Sequence, residues 1–158
     1  MMSTAGGARE LFRTLRTQTG PVSSADLDHV WANLPVARIE DLIGNWRGTG
    51  FETGHSGTAA LKDLRWYGKR IRAQFDVDPV VCEAETGELT VNTTAAGGGG
   101  ASLWMVGFRD EVTATMVYDS LPIFDHFKIV DDNFLLGIMN GKGTIEDSGH
   151  FYFSLERD

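Results

Sequence analysis

Apolar residues recur at a helical spacing near the start of the chain and at a strand spacing over most of the rest. Leu27, Val30, Trp31 and Leu34 fall at i, i+3, i+4 and i+7, the stripe of an amphipathic helix. Ser23 or Ser24 suits its N-cap, Asp26 its first turn and Pro35 its end, so the pattern predicts a helix over 23–34. His29 falls on its solvated face. Ahead of it, residues 1–22 read as a loosely held lead-in, with only Leu11 and Leu15 at helical spacing between Gly6-Gly7 and Gly20-Pro21.

From Trp46 onward the period shortens to two. Strand-like runs cover roughly 46–53, 79–85, 88–93, 101–108, 111–118, 122–130, 133–139 and 150–156. Thr86-Gly87, Arg109-Asp110 and Asp131-Asp132-Asn133 suit tight hairpins, and Gly97 to Gly100 and 140–149 suit longer loops. About eight strands joined mostly by hairpins describe an all-β chain, and its simplest edge-free closure is an antiparallel up-and-down β-barrel with the N-terminal helix over one side. Residues 54–78 look irregular. They are expected to cover the barrel mouth as a long loop, since connections above ~12–15 residues are uncommon unless functional.

Alternation also assigns faces. Val112, Ala114, Met116 and Tyr118 share one face of their strand, and Phe151, Phe153 and Leu155 share one face of the last. These sets should point inward. Runs 101–108 and 133–139 are apolar on both faces, so their outer sides should be covered by the helix or by a second copy in a homodimer.

Composition narrows the function. The 158 residues are 42% hydrophobic and 23% charged, an ordinary globular balance that one domain over 23–158 can bury. Acids outnumber bases 22 to 14, for a net charge of −8. There is no basic stripe for a phosphate backbone, and the acidic surface repels anionic membranes, so neither nucleic acid nor membrane is an expected partner. One cysteine, Cys82, excludes an internal disulfide. No secretory leader or membrane span is legible, and the expected compartment is the cytoplasm.

Three apparent motifs fail on their spacing. Gly54-His55-Ser56-Gly57 brings its second glycine one residue too early for a nucleophile elbow. The glycine run at 97–100 lacks the Lys-Ser or Lys-Thr of a phosphate loop. Cys82 and the four histidines show no metal-ligand spacing.

Asp125 is the residue that stands out. Ile123, Asp125, Phe127 and Ile129 alternate on one face of their strand, so period two carries a carboxylate into an apolar interior. Such a group needs a partner to stay ionised, and proton-transfer catalysts use groups of this kind. Tyr118 ends the inward face of the preceding strand and can donate to it, and Lys69 or Arg70 can supply positive charge. Asp125, Tyr118 and Lys69 are therefore the candidate catalytic set. Trp66, Tyr67, Arg70, Met116, Ile123, Phe127 and Phe153 are the expected lining of a binding pocket.

The run Gly44-Asn45-Trp46-Arg47-Gly48-Thr49-Gly50 marks the entry to the first strand. A Trp there can plug the closed end of a barrel, and Arg157 on the last strand is placed to stack on its indole. With Trp66-Tyr67-Gly68-Lys69-Arg70 and Asp76-Val77-Asp78-Pro79 it resembles the GXWXG-domain proteins of bacteria and fungi, over about 27–93. Residues from about 101 to 157 resemble their companion, domain of unknown function 4334, through Met116-Val117-Tyr118-Asp119, Leu121-Pro122-Ile123-Phe124-Asp125, Asp131-Asp132, Leu136-Gly137 and Phe153-Ser154-Leu155-Glu156-Arg157. The resemblance implies a lipocalin-like barrel and brings no established activity. GxWxGxG also resembles the nitrobindin branch of these barrels, which hold haem through a histidine near the C-terminus, and His150 is the residue so placed.

The leading expectation is thus binding of a small hydrophobic or amphipathic molecule inside the barrel, with no cofactor. The alternatives are an isomerase, cyclase or hydrolase using Asp125 as general acid or base, and a nitrobindin-like haem protein with His150 as ligand.

Overall fold

The computed structural model describes residues 4–158 as a closed barrel with three helices. The strands are β1 (Gly44–Gly50), β2 (Trp66–Ala73), β3 (Asp76–Glu83), β4 (Leu89–Val91), β5 (Ala101–Phe108), β6 (Glu111–Tyr118), β7 (Phe124–Ile129), β8 (Phe134–Asn140) and β9 (Phe151–Arg157). All pairings are antiparallel. Around the barrel the order is β1-β2-β3-β5-β6-β7-β8-β9, and β9 returns to β1. The run expected at 88–93 is not among them, although eight strands, the expected number, close the ring. The three-residue β4 pairs only with β3 and stands outside it.

One barrel strand differs from the sequence reading. Residues 66–73, expected within an irregular mouth loop, form β2, and 76–78 begin β3. The reason is visible in the β2–β3 ladder, which slips between Trp66 and Gly68, between Gly68 and Arg70, and between Ile71 and Ala73. Each bulge resets the inward face, so no clean period of two survives in the sequence.

Helix α1 (Thr4–Thr17) corrects the loose lead-in. Ala8, Phe12 and Leu15 lie at i, i+4 and i+7 and are buried. The Phe12 ring meets Phe51 and Phe134 edge-on at 6.1 and 5.7 Å. Helix α2 (Ser24–Ala32) is capped by Ser23, whose hydroxyl accepts from the Asp26 amide, and it buries Leu27, Val30 and Trp31. A 3-10 turn, Ile39–Leu42, leads into β1.

Beside a small cluster of Val80, Cys82 and Ala96, two large apolar clusters dominate the core. One fills the barrel, with Trp46, Leu103, Met116, Phe127, Phe153 and Leu155 among its members. The other lies between the outer wall and the two N-terminal helices, where Leu136, Ile138 and Tyr152 meet Phe12, Leu27 and Trp31. That explains why β8 is apolar on both faces. Strand β5 is covered less completely: Phe108 packs edge-on against Trp31 at 5.9 Å, whereas Trp104 and Met105 remain 47% and 44% exposed. No helix among the described residues is long and apolar enough to cross a membrane.

Candidate functional site

Helix α3 (Ser56–Asp63), β2, β3, β6, β7, β8 and β9 surround an apolar cavity of about 210 Å³. Gly57, Ala60 and Leu61 of α3 form one wall, Trp66, Pro79 and Val80 another, and Met139, Phe151 and Phe153 the far side. The cavity's ionisable groups are Lys69, Tyr118 and Asp125.

These three side chains form one network. The Lys69 ammonium donates to Asp125 Oδ2 at 2.9 Å, to the Tyr118 hydroxyl at 3.1 Å and to the Pro79 carbonyl at 3.2 Å. The Tyr118 hydroxyl donates in turn to Asp125 Oδ2 at 3.2 Å. Aromatic faces enclose the cation, with Tyr118, Phe153 and Trp66 ring centres at 5.3, 5.5 and 5.9 Å. Burial works to lower the Lys69 pKa, but the charge of Asp125 and the contacts with Tyr118 outweigh it and hold it above the ordinary lysine value. Burial, reinforced by the Asp125 charge, pushes Tyr118 up to about 12. At neutral pH the pair is therefore an ion pair beside a neutral phenol, with no net charge.

Local register explains the convergence. Asp125 lies opposite Met116 in the β6–β7 ladder, two positions before Tyr118, and Lys69 lies opposite Trp46 in the β1–β2 ladder. Of the two bases the sequence offers, the bulges in β2 aim Lys69 inward. The other expected lining residues divide. Trp66 and Phe153 line the cavity, whereas Met116 and Phe127 are buried in the barrel core away from it. Tyr67 and Arg70 line a separate hollow near the C-terminus, where the Tyr67 hydroxyl donates to Asp158. Ile123, just ahead of β7, is outside the cavity lining.

Haem does not fit. His150 lies edge-on to Phe108 at 5.8 Å, on the outer wall shared with Tyr152 and His126, and no histidine lines the cavity. The cavity is also smaller than the roughly 300–1,000 Å³ of pockets for drug-sized ligands.

Two motif glycines make room for neighbouring side chains, one at the barrel end and one at this site. Gly44 has φ +146°, and a Cβ there would meet an Arg157 guanidinium nitrogen at 2.7 Å. A Cβ on Gly48 would fall 2.1 Å from the Trp66 indole. Gly48 is thus the seat against which a cavity wall rests. Gly48→Ala should push the indole toward the cavity, shifting tryptophan emission and weakening binding of any occupant at least about tenfold, the effect of losing roughly 1.4 kcal/mol. Unchanged emission and affinity would show that Trp66 needs no such seat.

Outside the barrel, His126 stacks on Phe108 at 4.1 Å and bonds Thr115 and Asn140. Burial, with the charges of His150 and Arg109, lowers its pKa to about 4. The unfolded chain binds this proton first, near pH ~6.5, so the contribution of His126 is complete above that value and falls away toward pH 4. The loss should approach about 3 kcal/mol. Denaturation midpoints followed from pH 7 to 4 should drop, and His126→Gln should flatten the curve; an equal slope in the variant would place the acid sensitivity elsewhere.

Comparisons with known proteins agree with this architecture. Residues 29–87 match the family described as GXWXG protein, and residues 99–157 match Domain of unknown function (DUF4334). A solved structure described as a protein from Thermomonospora curvata is 29% identical, with a TM-score of 0.87 over 96% of this chain and 99% of that one. No curated protein matches.

Proposed function

We propose, for a chain that belongs to the GXWXG-domain proteins and carries DUF4334 as its second half, that the barrel binds a small hydrophobic or amphipathic molecule. The observation that carries this reading is an apolar cavity with a single polar cluster, Lys69-Tyr118-Asp125, on its wall. Apolar surface supplies affinity, and a few placed polar groups supply orientation. At about 210 Å³ the space exceeds an engineered cavity of ~150 Å³ that accepts benzene, so a monocyclic ligand fits. With Cys82 free and no disulfide possible, the cytoplasm is the compartment this reading favours.

Native mass spectrometry of freshly purified protein should show a retained small molecule, and toluene or methylcyclohexane should perturb Trp66 emission and raise Tm. If no small apolar compound does either, the binding role falls.

The network also favours a second reading, an isomerase, cyclase or hydrolase acting on an apolar substrate with Asp125 as acid or base. Asp125→Asn keeps the shape and removes the charge. Loss of turnover with apolar binding retained would favour Asp125 as the acid or base; turnover that survives would exclude that role for it.

A further inference from the structure

We propose that the occupant is a neutral apolar alcohol, and that Oδ1 of Asp125 is the atom that selects it. The inference rests on the binding role above and names its ligand class.

Three side chains with N–H or O–H groups line the cavity, and each is engaged. Trp66 Nε1 donates to the Gly68 carbonyl at 3.0 Å. The three ammonium protons of Lys69 go to Pro79, Tyr118 and Asp125, and the one proton of Tyr118 goes to Asp125. Both of these charge-assisted contacts end on Oδ2. Oδ1 has no hydrogen-bond partner among the described residues, and it is not among the buried atoms sealed off without one. It therefore opens on the cavity with its lone pairs free.

A wall that offers an ionised acceptor and no donor discriminates by chemistry. A carbonyl or ether oxygen would face Oδ1 with nothing to accept from, and a carboxylate would meet like charge. A protonated amine could donate, but the Lys69 ammonium already neutralises Asp125, so a second cation would be buried without a counter-charge. A neutral hydroxyl donates one bond to Oδ1 and adds no charge. Hydrogen bonds to charged groups contribute about 1.5–3 kcal/mol, which corresponds to roughly 10- to 100-fold in affinity.

Calorimetric titration with ligands of one size tests this. Cyclohexanol should bind at least about tenfold more tightly than cyclohexanone and than cyclohexylammonium, with methylcyclohexane as the probe of the cavity itself. Equal or tighter binding of the ketone or the amine overturns the proposal while leaving the binding role intact. If none of the four binds, the binding role fails first and the proposal with it. In Asp125→Asn the amide oxygen stays with Lys69 and the amide N–H turns to the cavity, so the alcohol-to-ketone ratio should fall or invert. A ratio unchanged in that variant would show that Oδ1 is not the selecting atom; should the variant not fold, the comparison in the parent protein still decides.

Discussion

Lys69→Met should destabilise the protein by about 3–5 kcal/mol in chemical denaturation at neutral pH, because it leaves the Asp125 carboxylate buried without its counter-ion. Pairing the substitution with Asp125→Leu should recover most of the stability. Desolvating both ions costs enough that an apolar pair of similar volume is often as stable or more so. A double variant as unstable as the single one would mean that the network, and not the stranded charge, holds the barrel together. Lys69→Met with parental stability would contradict the buried ion pair outright.

Trp46→Ala should cost a similar amount, about 3–5 kcal/mol, for a different reason. The indole is fully buried, donates from Nε1 to the Leu42 carbonyl at 2.9 Å, and lies under the Arg157 guanidinium at 4.3 Å. Arg157 also donates to the Ile43 and Asp132 carbonyls. One ring thus ties the 3-10 turn, β1 and β9 together where the barrel closes. Trp46 is absent from the cavity lining, so the variant should lose stability before it loses affinity for any occupant. Parental stability combined with lost binding would reverse that assignment.

How far the sequence reaches depends on how regular each strand is. Strands β6 and β7 keep a clean alternation, and it places Tyr118 and Asp125 on a common wall without any knowledge of the fold. Strand β2 does not. Its three ladder slips hide both its existence and its inward face, which is why Lys69 and Arg70 look equivalent and why Tyr67 reads as lining. Phe151 was within reach, since it shares the inward face of Phe153. Gly57, Ala60 and Leu61 were not: a short helix without a buried residue carries no mark of which opening it covers. On β5 the two-faced apolar pattern predicts a covering partner for Trp104, but the helices reach only as far as Phe108.

The short helix α3 sets a kinetic character for the cavity. It buries none of its residues fully, and its N-terminus is clasped by the loop after β8: the Ser56 amide and hydroxyl donate to Glu146, and the His55 ring bonds the Thr144 carbonyl at 2.7 Å. The Lys69-Tyr118-Asp125 network sits on the barrel strands, while the clasp holds the helix that forms one wall of the cavity. If the barrel binds as proposed, residence time and equilibrium affinity should be separable here. Glu146→Gln should speed ligand exchange severalfold in line-shape or stopped-flow measurements at nearly constant Kd, and a change in Kd without a change in exchange rate would place the entrance elsewhere. On the binding role proposed above, a surface hydrogen-bonded latch would set how long an occupant stays, adjustable without altering what is held.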